Sequence, residues 1–295
     1  MIEQGPIIDG GRCAVLLVAL VVDFLIGCFP VVGRLASAPF RISAGLFTWL
    51  ESKLNRAQRG AVARRIRGAA LVLFVIALAV MAALALAAAT GGQDRRHVVE
   101  GVVVFLFLCG RQVFAEIGPI AGALRHQGGD AARRALAGVA PYETREFDDH
   151  AVARGAIELA AHRFVNGVSC CVERAAPLYL PSQPFGAAPR AVLYALDFIP
   201  APLAALFLSA AALFVPVANP ARAVRTMLAD SRRYGAYGGG WTIAAAAGAL
   251  GLALAGPRRF GAIAGSTPWI GQGRARAEAI DIRRAISLPL PGFCL

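Results

Sequence analysis

Arg154, Glu158, His162 and Asn166 recur at every fourth position, so a helix over this stretch lines them along one slowly drifting stripe. Ile157, Ala161, Phe164 and Val168 fall on the adjoining arc and would seat that helix against an apolar surface. A guanidinium can clamp an anion, a carboxylate can take a proton or stand beside a metal, and an imidazole can move a proton. In so apolar a chain, such a row is unfavourable unless water or a ligand meets it. The stripe is the leading candidate site. The plain alternative is a wet helix face on which acid and bases pair, each pair contributing only ~0.3 to 0.5 kcal/mol.

Other residues could extend such a site. Asp148 and Asp149 precede the stripe, where they suit a helix N-cap. The same pair could hold magnesium together with a nucleotide phosphate, which makes Asp148 the candidate metal ligand. Gly238-Gly239-Gly240 stands before Trp241. Such a run lets backbone approach a phosphate or a planar ligand, or serves as a hinge or close helix contact. Asp23 interrupts an apolar run, a costly place for a carboxylate. Lys53 is the only lysine, so the chain has no phosphate-binding loop ending in Gly-Lys-Ser/Thr. The six cysteines include no C-x-x-C pair, and the four histidines are scattered.

The elements that must position these groups are membrane helices. Apolar residues make up 57% of the 295 and mean hydropathy is +0.60, well above a soluble domain. Spans are expected near 13–33, 68–90, 98–124 and 191–218, with a fifth, short and Ala-rich, at 241–256. Pro200, Pro202 and Pro216 kink the fourth. The first run is longer than a signal-peptide core and lacks a basic leader, so it reads as a retained helix. The segment 34–67 carries eight Arg or Lys residues against Glu51, which places it in the cytoplasm. Residues 125–190 then form a cytoplasmic helical segment, with helices near 130–139 and 148–165. The expected fold is all-α: a polytopic integral membrane protein with that segment on the cytoplasmic side. The net charge of +12 is explained by orientation and anionic lipid; nothing resembles a nucleic-acid recognition module, and no nucleic-acid partner is expected.

The stretch Thr144-x-x-Phe147-Asp148-x-x-x-Val152-x-Arg154-x-Ala156-Ile157-Glu158, continuing into Val165-Asn166-Gly167-Val168, resembles the CobD/CbiB family of cobalamin-biosynthesis membrane proteins. Weaker similarity covers most of the chain. It includes Val22-Asp23-Phe24-Leu25-Ile26-Gly27, Gly33-Arg34-Leu35, Phe198-Ile199-Pro200-Ala201-Pro202-Leu203, Gly240-Trp241 with the following Ala246–Pro257 stretch, and Asp281-Ile282-Arg283-Arg284-Ala285. The chain departs from the family at His162-Arg163, where an E-N pair is expected, and at Asn166-Gly167, in place of D-G. It also lacks an N-T-L-D-S-M-V-G-Y segment.

The resemblance implies a single membrane domain over 1–295 in the inner membrane. It further implies ATP-dependent amide formation between a corrinoid carboxylate and an aminopropanol-type amine, with magnesium accompanying the ATP. On that reading Arg154 clamps an anion, Glu158 is base or metal-side ligand, and His162 takes a proton. Asp23, Gly240 and Trp241 bind substrate, as does Asn166, which, like His162, rests on the stripe rather than on the family's pattern. The departures leave open a non-catalytic accessory or sensor protein of the same superfamily, and a transporter is a third reading.

Overall fold

The computed structural model describes residues 60–89, 110–140, 143–165, 184–234, 239–260, 263–265 and 268–288, with a few isolated positions up to 55 and at 101. Asp23, Asn166 and all but single positions of the 13–33 run lie outside the described residues. Helices run at Ala61–Ala89 (α1), Gly110–His126 (α2), Gly129–Ala137 (α3), Asp149–Val165 (α4), Ala187–Asp197 (α5), Pro200–Ala211 (α6), Pro220–Asp230 (α7), Gly239–Leu250 (α8) and Ala279–Ser287 (α9). Four short strands interrupt them: Leu254–Ala255 (β1), Arg258–Phe260 (β2), Ile263–Gly265 (β3) and Trp269–Ile270 (β4). They form two antiparallel pairs, β1 with β4 and β2 with β3; in the first, Leu254 faces Ile270 and Ala255 faces Trp269. The chain is mostly helical, consistent with the all-α expectation, with these two short pairs as its only described strands.

Small residues set the centre of the fold. In α8, every residue from Thr242 to Ala249 is buried. From Ala244 to Ala249 it carries only methyl groups or hydrogens, so α7, α6 and α4 can approach closely. At Gly248 an added Cβ would lie 2.5 Å from the Arg222 carbonyl oxygen and 2.8 Å from the Ala223 Cα, so only glycine admits α7 at this distance. The α2–α3 hairpin packs on α4, and α9 lies against α2 and α4. Ile117, Ile120, Leu136, Val152, Ile157 and Ile282 are each fully enclosed where these helices meet.

Side chains close the helix ends. Asn219 accepts a hydrogen bond from the Arg222 amide at 2.9 Å, and Pro220 occupies the first turn of α7. Glu278 and Asp281 form a reciprocal capping box on α9. At the end of α8 the Leu252 amide reaches back to the Ala247 carbonyl at 2.9 Å around a left-handed Gly251. That is the geometry of a Schellman stop. The 241–256 run is therefore not one helix: it stops at Leu250 and becomes strand at Leu254.

The 68–90 run, as far as Ala89, lies within α1, whose Ala61–Leu86 portion is long and apolar enough to cross a membrane and is mostly uncovered by protein. Apart from Gly101, the described part of 98–124 is α2, which turns Ile117, Ile120 and Ala121 into the core. The 191–218 run is two shorter helices rather than one span. Pro200 and Pro202 cannot donate the amide bonds that would continue α5 through Phe198-Ile199, and α6 gives way to turns after Ala211.

Gly248 and Gly122 give opposite expectations. Gly248→Ala inserts a Cβ against backbone and should destabilise by about 1 to 3 kcal/mol. Gly122, inside α2, has no atom within 4 Å of its added Cβ, so Gly122→Ala should be neutral or stabilise by up to about 1 kcal/mol. Thermal unfolding of the two purified variants measures both; equal melting temperatures would refute the close packing of α7 on α8.

Candidate functional site

Asp148 begins the site by starting its helix. Its Oδ1 accepts the Ala151 amide at 2.6 Å, and its own carbonyl accepts from Val152 at 2.9 Å. This is N-cap geometry, and it occupies the carboxylate named above as a metal ligand. From there α4 is enclosed on nearly every side: Val152, Ala153 and every residue from Gly155 to His162 are buried. Between Gly155 and His162 the helix has no wet face. Its polar stripe must find partners within the protein.

Most of the partners come from the segment that follows α8, and His162 meets the first residue of α8 itself. Arg154 Nη1 donates to the Ala275 carbonyl at 2.6 Å, and its guanidinium lies 5.3 Å from the centre of the Trp269 ring. Glu158, only 3% exposed, accepts the Ala255 amide on Oε1 at 2.8 Å. His162, 4% exposed, rests its ring on the Gly239 backbone, where any Cβ would collide with Nδ1. One turn ahead of Arg154, on the same stripe, His150 places Nδ1 2.9 Å from the Ala277 carbonyl. His150, Arg154, Glu158 and His162 thus meet residues 277, 275, 255 and 239 in turn.

The Glu158 contact holds a strained residue. Ala255 has φ 62° and Gly256 φ 88°. A left-handed alanine costs roughly 1 to 2 kcal/mol, whereas a hydrogen bond to a charged group contributes about 1.5 to 3. The bond to Glu158 can offset the strain, and the chain reverses here so that Trp269 covers Gly256. Neighbouring ion pairs lock the frame. Arg163 pairs with Glu116 of α2 and donates to the Val139 carbonyl at 3.2 Å. Arg274 Nη2 lies 2.7 and 2.6 Å from the two oxygens of Asp281, itself 1% exposed.

Of the residues named from sequence, Arg154, Glu158 and His162 share one line, as their spacing requires. Gly240 and Trp241 are at the start of α8. Gly240 is pressed against the Ser231 carbonyl, and Trp241 is half-buried beside the core. Two residues were missed. Trp269, and not Trp241, bears the guanidinium of Arg154. His150 was signalled by the same four-residue spacing, one step earlier. At this end the stripe opens into a cleft of about 470 Å³ bounded by α2, the first turn of α4 and the start of α9. Among the described residues no three His, Cys, Asp or Glu side chains gather as a metal site.

Among the described residues, fold and site together define a mostly helical protein with one long apolar helix and a polar helix clamped by the C-terminal segment. The sequence model of the family described as CobD/Cbib protein matches residues 16–181 and 179–289. The chain belongs to that family, as its motifs led one to expect. It is 28% identical over 311 positions to the cobalamin biosynthesis protein CobD of Brucella melitensis biotype 1, covering 94% of this chain and 92% of the relative. Relatives of the same name from Sinorhizobium sp (28% over 303 positions) and Rhodobacter capsulatus (26% over 304) each align with 93% of this chain and 92% of their own length. No solved structure matches.

If Glu158 holds Ala255, truncation and amide replacement must differ. Glu158→Ala strands a buried amide and should destabilise by about 2 to 3 kcal/mol, while Glu158→Gln, which keeps an acceptor oxygen, should lose about half as much. Denaturant unfolding of both variants provides the comparison. Two silent substitutions would remove the clamp.

Proposed function

We propose that this chain acts in cobalamin biosynthesis as an amide ligase, joining a corrinoid carboxylate to an aminopropanol-type amine with ATP as the activating substrate. The observation that carries this reading is the match to CobD/Cbib over nearly the whole chain, at similar length to its curated relatives. The reading also places the protein in the inner membrane as a multi-pass protein in one membrane domain. The long apolar α1 and the exposed Leu203, Phe207, Leu213 and Phe214 of the α6 region suit contact with lipid.

The chemistry requires an anchored anion, a proton acceptor for the amine and a rigid frame. Arg154 supplies a partly exposed guanidinium, held by the Ala275 carbonyl and the Trp269 ring. Glu158 and His162, buried behind it, act as positioning residues that set the 239–277 segment. No resident metal fits the described residues, and Asp148 is engaged as a cap. Magnesium enters this reading only as the companion of ATP, and no step is routed through it. A second reading, the non-catalytic accessory or sensor, is favoured by the same burial of Glu158 and His162.

Complementation separates the two. In a bacterial strain lacking its CobD-family protein, wild-type chain should restore corrinoid-dependent growth, and Arg154→Ala should reduce it at least about tenfold without loss of expression. With the purified protein, cobyric acid or ATP-magnesium at ~100 times its dissociation constant should stabilise by about 2.7 kcal/mol. A well-expressed wild type that neither complements nor shifts its melting temperature would sink the ligase and leave the accessory protein.

A further inference from the structure

The chain changes character at one point. No charged residue stands between Asp197 and Arg222, and from Arg222 to Ala277 eight arginines face one acid, Asp230. Asp230 is buried and accepts the Gly271 amide at 2.9 Å, so the exposed side of α7 carries positive charge alone.

The corner between α6 and α7 presents large apolar side chains just before that charge begins. Ala212 and Val215 turn inward and are buried, whereas Leu213, Phe214 and Val217 are each more than two-thirds exposed. The backbone here is fixed. The Ala218 amide donates to the Val215 carbonyl at 3.2 Å, and the Asn219 amide to the Ala249 carbonyl at 2.9 Å. Val217 holds φ 71°, a conformation that a β-branched residue adopts only under constraint. Glycine would relieve it, so a strained valine facing outward points to a partner for its side chain.

The basic groups share one face. Arg222, Arg225 and Arg232 run along α7 and the 3₁₀ turn Ser231–Arg233 that extends it, on the side away from buried Ala223 and Met227. Arg222 is already oriented: Nε donates to the Gly248 carbonyl at 2.7 Å, which leaves its terminal nitrogens to an outside acceptor. Arg225 and Arg232 make no ion pair among the described residues.

A bilayer surface offers both things this corner lacks, an acyl boundary and, beside it, a layer of phosphates. α5 packs along α1, the helix of membrane length, and exposed Leu196, Leu203 and Phe207 carry apolar surface from there towards the corner. A second copy fits less well, because a two-fold contact would set one arginine row against the other.

We infer that the α6–α7 corner docks on anionic lipid. Leu213, Phe214 and Val217 enter the acyl boundary, and Arg222, Arg225 and Arg232 take the phosphates of negatively charged headgroups. Guanidinium forks suit phosphate, and each arginine near an anionic surface adds about fivefold in affinity. This rests on the membrane placement above and is independent of the ligase chemistry.

The test is calorimetric titration of the purified full chain, in a non-ionic detergent, with short-chain phosphatidylglycerol. Phosphatidylcholine of the same chains and inorganic phosphate are titrated separately. Phosphatidylglycerol should bind at least about tenfold more tightly than phosphatidylcholine. Arg225→Gln and Arg232→Gln should each remove about fivefold of that affinity, and Arg134→Gln, on α3, none. Phe214→Ser and Val217→Gly should weaken both lipids by at least about threefold. All these side chains are exposed, so melting temperatures should stay near wild type. Equal affinity for the two lipids would overturn the inference, as would a phosphatidylglycerol preference untouched by Arg225→Gln and Arg232→Gln. Inorganic phosphate binding as tightly as the lipid would make the arginines a plain anion site and overturn it too. So would a dimer, seen by sedimentation, that Phe214→Ser dissociates without changing lipid affinity. A chain that shows no lipid preference yet partitions fully into membranes would keep the membrane placement and discard the corner.

Discussion

A helix buried on nearly every side cannot carry a row of charged and polar groups unless each is met by a partner, and that constraint organises the molecule. Leaving such a group unmet costs about 1 to 3 kcal/mol, more for a charge, against a total stability of about 5 to 15 kcal/mol. Along α4 the partners are mostly backbone atoms of one C-terminal segment: the Ala255 amide and the Ala275 and Ala277 carbonyls, with the Gly239 backbone packed on His162. The stripe thereby dictates where that segment lies. It sets the reversal at Ala255, the position of Trp269 and the approach of α9.

This arrangement divides the polar residues by what they can reach. Glu158 and His162 are closed in by protein and act on whatever is built around them. Arg154 is half-exposed beside Trp269, and His150 opens onto the cleft. On the proposed function, chemistry with an incoming molecule falls to the second group and fidelity of shape to the first. His162 and Arg163, which depart from the family pattern, are both absorbed structurally here, the first against α8 and the second by Glu116 and Val139.

Much of this was legible in the residues, and the illegible part has a common cause. The four-residue spacing of Arg154, Glu158 and His162 placed them on one face, and Asp148 carried a cap signal beside its metal signal. Their partners carried no signal, because a backbone amide at Ala255 looks like any other. Apolar surroundings therefore pointed to a ligand where the protein itself supplies the contact. The strands β1 and β4 have two residues each, too few for an alternating pattern. The stop at Gly251 was hidden in an apolar run because Ala-rich helix and buried strand share one composition. Pro200 and Pro202 marked a disturbance in 191–218, but a kink and a break leave the same residues in the chain.

The central claim is that Glu158 holds the backbone at Ala255, and amide hydrogen exchange at that one residue reads it most directly. Ala255 lies in a two-residue strand followed by a turn, where exchange is ordinarily fast. Bonded to a buried carboxylate, its amide should instead exchange as slowly as those in the middle of α8. Exchange as fast as in the exposed 272–276 loop would contradict the account.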